Sequence, residues 1–228
     1  MAGPAYRIQT ARLVVRCWDP ADSSLLQDAV NSSLEHLRPW MPWIKSEPED
    51  LQAKVQRLRR FRGEFDLGRD YVYGIFTPDE QQVLGGTGLH MRMGNGVREI
   101  GYWIRAGHTG RGYATEVAAA LTRVAFEIDD VQRVEIHCDP NNSRSARVPD
   151  KLGYICEAIL RKRTEGADGA LRDSMIWTLL QEEYGASAAS QIHVEAFDIV
   201  GRPLPVASTP YWALRLITPS ATLKRAVL

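Results

Sequence analysis

Between Glu99 and Ala120 the chain runs strand, glycine loop and helix without a break, and few architectures accommodate that order. Ile100 to Ile104, Ile-Gly-Tyr-Trp-Ile, is a short apolar and aromatic run of the kind that forms a buried strand. Gly107, Gly110 and Gly112 punctuate the loop that follows, and from Ala114 the apolar side chains fall at Val117, Ala118, Leu121, Ala125 and Ile128, one stripe along a helix. A glycine loop feeding a helix N-terminus aims unpaired backbone N–H groups and a positive dipole end at one point, which suits a phosphate. The dinucleotide fingerprint does not fit, because Thr115 stands where its third glycine is needed, and the Gly-Lys-Ser/Thr of nucleotide-triphosphate loops is absent. What remains is Gly-x-Gly-x-Ala over Gly110 to Ala114, small residues that let amides approach a pyrophosphate closely.

The rest of the chain supplies a sheet for that strand. Leu13 to Trp18, Asp70 to Phe76, Val83 to Met91, Arg133 to Cys138, Tyr154 to Leu160 and Arg172 to Leu180 all have strand character. The strand at Arg133 to Cys138 follows the one at Ile100 to Ile104 through a helix, so the crossover rule makes the two parallel. Gly85, Gly86 and Gly88 inside a strand imply a bulge or the close approach of another backbone. Helices are predicted from Asp22 or Ser23 to about Ser33, over 48–65, from Ala114 onward, and from Asn142 or Ser143 to a stop at Gly153. In the second, Leu51, Val55, Leu58, Phe61 and Phe65 form the buried stripe. Its basic face, Lys54, Arg57, Arg59, Arg60 and Arg62, reads as solvated, with docking of an acidic partner as the alternative. In the last, Pro149 removes the N–H that would bond the Ser145 carbonyl, so a kink is expected. Two prolines in Leu37-Arg-Pro-Trp-Met-Pro-Trp43 hold Trp40 and Trp43 on an irregular turn, as packing residues or as the lining of a pocket.

Composition removes several classes of function. Lysine plus arginine equals aspartate plus glutamate at 28 each, so no global basic field exists to hold nucleic acid or an anionic membrane. No run approaches the roughly 18 apolar residues of a membrane span, and the start of the chain lacks the pattern of a signal peptide. Cys17, Cys138 and Cys156 are too few and too scattered for a disulfide framework, and no metal site is expected: His137-Cys138 reads as a strand end. The expectation is a cytoplasmic protein of one main domain with a small appendage.

The phrases Glu-Ile-Gly-Tyr-Trp-Ile and His-Thr-Gly-Arg-Gly-Tyr-Ala-Thr-Glu resemble the RimJ/RimL branch of the GNAT acetyltransferases. So does the order Asn142-x-x-Ser145-x-Arg147-Val148-x-x-Lys151-Leu152-Gly153-Tyr154, the most specific motif in the chain. The likeness covers about Tyr6 to Tyr184, giving a domain over 1–185 and an extension over 186–228. The extension opens with an Ala/Ser linker, Ala186 to Ser190, continues through strand residues at Ile192 to Val200, and reaches Pro210-Tyr211-Trp212. It is expected to add a strand, cover an edge or swap into a second copy, which leaves a homodimer open. Two positions depart from the family pattern: Gly107 where many such loops carry Gln or Arg, and Pro149 where many members carry a proton-donating tyrosine.

The resemblance implies an α/β (α+β) GNAT fold, a mixed central sheet of six to seven strands flanked by about four helices and splayed between two parallel central strands. It implies acetyl-CoA as cofactor, no metal, and an amine acceptor, either a protein or peptide N-terminus or a small molecule. Backbone groups of Trp103, Ile104 and Arg105 would hold the pantetheine arm, and the amides of Gly110, Arg111, Gly112, Tyr113, Ala114 and Thr115 the pyrophosphate. Arg111, Arg144 and Lys151 are candidates for the remaining phosphate, and Asn142 for a water or the pantetheine amide. Glu99 is the candidate general base, with a surface carboxylate as the alternative; Ser145 either assists departure of the thiolate or only binds cofactor. The segment holding Trp40 and Trp43 resembles the one beside the substrate cleft in RimL-type enzymes. A silent acetyl-CoA-binding sensor or scaffold is the alternative function.

Overall fold

A computed structural model describes residues 4–206, so the sequence feature at Pro210-Tyr211-Trp212 lies outside the described residues. The chain opens with strands β1 (Arg7–Gln9) and β2 (Val14–Cys17), then helices α1 (Ser23–Asn31), α2 (Leu34–Leu37) and α3 (Leu51–Asp66). Strands β3 (Tyr71–Phe76), β4 (Val83–His90) and β5 (Val97–Ile104) lead through the glycine loop to α4 (Tyr113–Glu127). Then come β6 (Arg133–Cys138), α5 (Ser143–Leu152), β7 (Ile155–Glu165), β8 (Leu171–Leu180), α6 (Gln181–Tyr184) and β9 (Glu195–Phe197).

These strands form one sheet in the order β7-β8-β6-β5-β4-β3-β2-β1-β9. Every neighbouring pair is antiparallel except β5 and β6, the two that the crossover rule makes parallel. Among the described residues the sheet has nine strands rather than six to seven. The two additions, β1 and β9, are three residues each, too short to display an alternation. They pair with each other at Arg7 and Phe197, so the extension adds a strand to the edge of its own sheet.

Helices cover both faces. On one, Leu26, Val30, Leu37, Ile44 and Leu58 pack with Trp18 and Phe76. On the other, α4 is buried on nearly every side, and its run Ala118, Ala119, Ala120 lets it lie close on the sheet. Part of that cover is the Ala/Ser stretch read as a linker: it forms a 3₁₀ turn (Ala188–Gln191) whose Ala189 and Ser190 are buried. Asn142 caps α5, its side chain accepting from the Ser145 amide at 3.1 Å, and Gly153 ends the helix at φ +87°.

The helix α3 departs most from its sequence pattern. It starts at Leu51, capped by Asp50, whose side chain accepts from the Ala53 amide at 2.7 Å. Leu51 is 43% exposed, whereas Lys54 is fully buried. The reason is Glu47, whose buried carboxylate pairs with Lys54 and, at 2.9 Å, with Arg57; Arg57 also reaches Glu49 at 2.6 Å. Lys54 and Arg57 therefore leave the solvated basic face, while Arg59 and Arg60 stay exposed and Arg62 pairs with Asp66 at 2.9 Å. Burial alone would raise the Glu47 pKa, but hydrogen bonds from Lys54, the Glu49 amide and Arg57 outweigh it and hold the carboxyl below its ordinary value.

Removing one partner of a buried pair leaves an uncompensated charge, so Lys54→Met should lower stability by about 3–5 kcal/mol in urea titration. Because the folded-state pKa of Glu47 is depressed, its contribution is present above the ordinary carboxylate range and is lost as pH falls through the folded value. The cost of the substitution should therefore shrink in acid, and a cost independent of pH would show that Glu47 is not the partner that matters.

Candidate active site

The pairing of β5 with β6 is short. It joins Val97, Arg98 and Glu99 to Arg133, Val134 and Glu135 and stops, although β5 runs on to Ile104 and β6 to Cys138. Beyond Glu99 the two strands part into a fork. The Arg105 amide donates to the Leu84 carbonyl at 2.8 Å, so by antiparallel alternation Ile104 and Tyr102 turn their backbone groups away from β4, toward the fork. Of the three backbones expected to hold a pantetheine arm, Ile104 is open to the fork, while Trp103 and Arg105 face β4.

The glycine loop closes one end of this fork. Gly110 and Gly112 take φ +75° and +82°, conformations that side chains resist. The first helical bond of α4 runs from the Glu116 amide to Gly112 O at 3.0 Å, so the amides of Tyr113, Ala114 and Thr115 have no acceptor within the helix. An anion fits that cradle. Arg12, which sequence reasoning did not single out, braces it: its guanidinium donates to the Arg111 carbonyl at 3.0 Å, pairs with Glu116 at 2.5 Å and lies 4.9 Å over the Tyr113 ring. Arg111 is exposed and reaches back to the Gly107 carbonyl at 3.1 Å. Lys151 is exposed on the last turn of α5, about 9 Å along the helix from Ser145. Arg144 is exposed at the start of α5 and faces His36 of α2, whose pKa is lowered by burial and by that charge.

On the α5 side of the fork, helix α5 continues through Pro149. The Ser145 carbonyl, which Pro149 cannot serve, lies 3.2 Å from the Tyr102 hydroxyl, and Ser145 Oγ is also 3.2 Å from it. Tyr102 thus ties β5 to α5 across the fork, and burial raises its pKa so that it stays protonated.

The opposite face holds the carboxylate. Glu99 is 4% exposed, and both its oxygens are held by Arg92, one of them at 2.7 Å from Nε. Burial works to raise its pKa, yet the Arg92 bonds and the neighbouring His137 and His90 bring it below its ordinary value. It is therefore no surface carboxylate; it is ionised and a weak proton acceptor. His137 stands beside it, with Nδ1 3.9 Å from Glu99 Oε1 and Nε2 2.7 Å from Glu135 Oε2. Period-two alternation places Glu135 and His137 on one face of β6, but nothing in the sequence says that Glu99 faces them.

Trp103 lies on this face against Gly86, where a Cβ would come within 2.5 Å of its indole nitrogen. The close backbone approach implied by the strand glycines is at Gly85, where a Cβ would run into the Trp103 carbonyl oxygen. Trp43 meets it at 5.9 Å between ring centroids, so the two tryptophans form one wall. Trp40 is half-buried on the same turn, whose Pro39 carbonyl accepts from Arg172 near the β7–β8 tip. Lys45 and Glu165 approach to 3.8 Å, a second link between turn and tip. No group of His, Cys, Asp and Glu among the described residues could hold a metal ion, and no described helix is long and apolar enough to cross a membrane.

Residues 12–155 match the family model of the acetyltransferase (GNAT) domain. The [ribosomal protein uS5]-alanine N-acetyltransferase of Escherichia coli (strain K12) is 26% identical over 187 residues, 79% of this chain and 94% of that protein. Among solved structures, Mycobacterium smegmatis RimJ in complex with CoA-disulfide superimposes with a TM-score of 0.69 at 25% identity, covering 82% of this chain and 94% of that one. The microcin C7 self-immunity acetyltransferase MccE, in complex with acetyl-CoA and AMP, gives 0.67 at 18% identity, covering 75% and 93%.

If the loop holds the pyrophosphate, Gly112→Glu, which sets an anion in the cradle and a side chain at φ +82°, should abolish acetyl-CoA binding in calorimetric titration. Retained binding at wild-type affinity would place the cofactor elsewhere.

Proposed function

The chain belongs to the GNAT acetyltransferase family, and on that premise we propose that the amine it acetylates is the N-terminus of a protein or peptide. It is an acetyl-CoA-dependent N-acetyltransferase of the RimJ/RimL-like branch. The observation that carries the cofactor's place is the fork: two parallel strands that stop pairing after Glu99 and Glu135, with free amides at one end.

Bound acetyl-CoA supplies the acetyl group as a thioester. The chain's own residues do the rest. The Ile104 backbone orients the arm by adding it to the open edge of β5. The amides of Tyr113, Ala114 and Thr115 hold the pyrophosphate, with Arg111 and Lys151 outside it and Asn142 at the mouth of α5. Glu99, fixed by Arg92, lies beside the fork where the neutral amine enters and stabilises the positive charge that grows on nitrogen as it attacks. Ser145 gives its hydroxyl proton to the departing sulfur, and Tyr102 holds Ser145 in place.

Two arguments favour a chain terminus as acceptor. The turn carrying Trp40 and Trp43 is tied to the β7–β8 tip, and a site bridged in that way suits an end of chain better than a folded loop. Protonation points the same way. A free α-amine, with pKa near ~8, is about a tenth neutral at pH 7, whereas a lysine near ~10.4 is neutral about once in several thousand molecules. Positioning supplies roughly 7–11 kcal/mol, so an α-amine asks little of the protein beyond placement. The relative from Escherichia coli carries the name of an enzyme acting on the alanine of a ribosomal protein, which agrees with this class.

Thiol release should be measured with alanyl tetrapeptides and with Nα-blocked lysyl peptides of equal length. The free α-amine should be acetylated at least about tenfold faster at pH 7, and faster turnover of the blocked lysyl peptide would reassign the acceptor. Glu99→Ala should slow transfer about tenfold to a hundredfold without abolishing it. A wild-type rate in that variant would remove Glu99 from the reaction.

A further inference from the structure

The geometry points to His137, not Glu99, as the group that takes the proton from the acceptor amine. This rests on the acetyl-transfer reading above, and it is argued from where the ring lies. Pairing between β5 and β6 ends at Glu99 and Glu135, and His137 is the next residue of β6 on that same face, so it stands in the opening of the fork. Its Nε2 is 2.7 Å from Glu135 Oε2, a bond that fixes an N–H on that nitrogen in the neutral ring. Glu135 is held in turn by Arg133 Nε at 2.7 Å. A carboxylate on one ring nitrogen leaves the other, Nδ1, as a lone pair turned toward the gap beside Glu99, 3.9 Å away.

The two candidate bases differ in how free they are. Both Glu99 oxygens are spent on Arg92, and a carboxylate so paired binds a proton poorly. His137 keeps one nitrogen uncommitted, remains about one-fifth exposed, and carries on that nitrogen a lone pair that can accept a proton. The groups facing it are Glu135 and Arg133 on its own strand, Glu99 on β5, Arg92 beyond the end of β4, and His90 with Asp70, whose carboxylate lies 3.0 Å from the His90 ring. On the other side, β8 sets Ile176 opposite His137 and Thr178 opposite Glu135, with Glu157 of β7 on the Thr178 hydroxyl at 3.0 Å.

In the resulting step the nitrogen–carbon bond forms and the carbon–sulfur bond breaks. The proton lost by nitrogen passes to His137 Nδ1 and then to solvent, and the sulfur leaves as a thiol with the Ser145 proton, which solvent restores. Glu135 is a positioning residue that fixes the tautomer.

The test has a kinetic arm and a spectroscopic arm, both on the full chain. With an alanyl tetrapeptide, His137→Gln, which keeps a donor to Glu135, should lower kcat about a hundredfold or more while the KM for acetyl-CoA stays within about twofold. It should also erase an acid-side inflection in the pH profile of kcat/KM that Glu99→Gln retains. An unchanged kcat, or an inflection that survives in His137→Gln, overturns the assignment. Ring ¹⁵N spectra of wild-type protein loaded with CoA at pH 7.5 decide the question without turnover or mutation. A neutral ring protonated at Nε2 and bare at Nδ1 is expected, and either an imidazolium or an Nδ1–H ring overturns it. If the wild type leaves every alanyl peptide untouched, the acceptor reading fails, and the spectra still test His137.

Discussion

The structure depends on two parallel strands that stop pairing while both continue. Past Glu99 and Glu135, the inner edges of β5 and β6 carry main-chain donors and acceptors that a closed sheet would have satisfied. Such groups are costly to bury unpaired, so the fork persists only because each strand is pinned on its outer side, β5 by β4 and β6 by β8. The open edges face each other at a distance set by that scaffold, ready for an extended ligand to complete them. The glycine loop, α4 and the charged groups around Glu99 all take their positions from this gap.

The same economy appears where helices meet the fork. Pro149 deprives the Ser145 carbonyl of its helical partner, and the Tyr102 hydroxyl takes up that carbonyl while also meeting Ser145 Oγ. A local defect in α5 thereby becomes a strut between β5 and α5 across the fork. On the other face of the sheet, the Lys54, Glu47 and Arg57 network anchors the end of the turn that carries Trp43, and Trp43 braces Trp103 over Gly86.

Much of this was legible in the chain. The strand, loop and helix from Glu99 to Ala120, the parallel crossover to Arg133 and the cap and stop at Asn142 and Gly153 follow from local rules that tertiary contacts did not override. What escaped were pairings between distant side chains. Lys54 looks like part of a solvated face because its partner, Glu47, lies outside the helix and beyond a proline. Glu99 reads as a general base or a surface carboxylate, and its pairing stays hidden because Arg92 returns to it across a turn. His137 reads as a strand end because alternation reports which residues share a face and is silent on what stands opposite. The strand β1 escaped for a simpler reason, since three residues give no period, whereas β9 falls inside the strand residues read at Ile192 to Val200.

The most direct test of the central claim is a crystal structure with the ketone analogue of acetyl-CoA, in which a methylene replaces sulfur and transfer cannot occur. The account predicts the pantetheine arm between β5 and β6, its pyrophosphate on the amides of Tyr113 to Thr115, and its acetyl carbonyl between Ser145 and His137. An arm bound elsewhere, or a fork closed by direct pairing of β5 with β6, would contradict it.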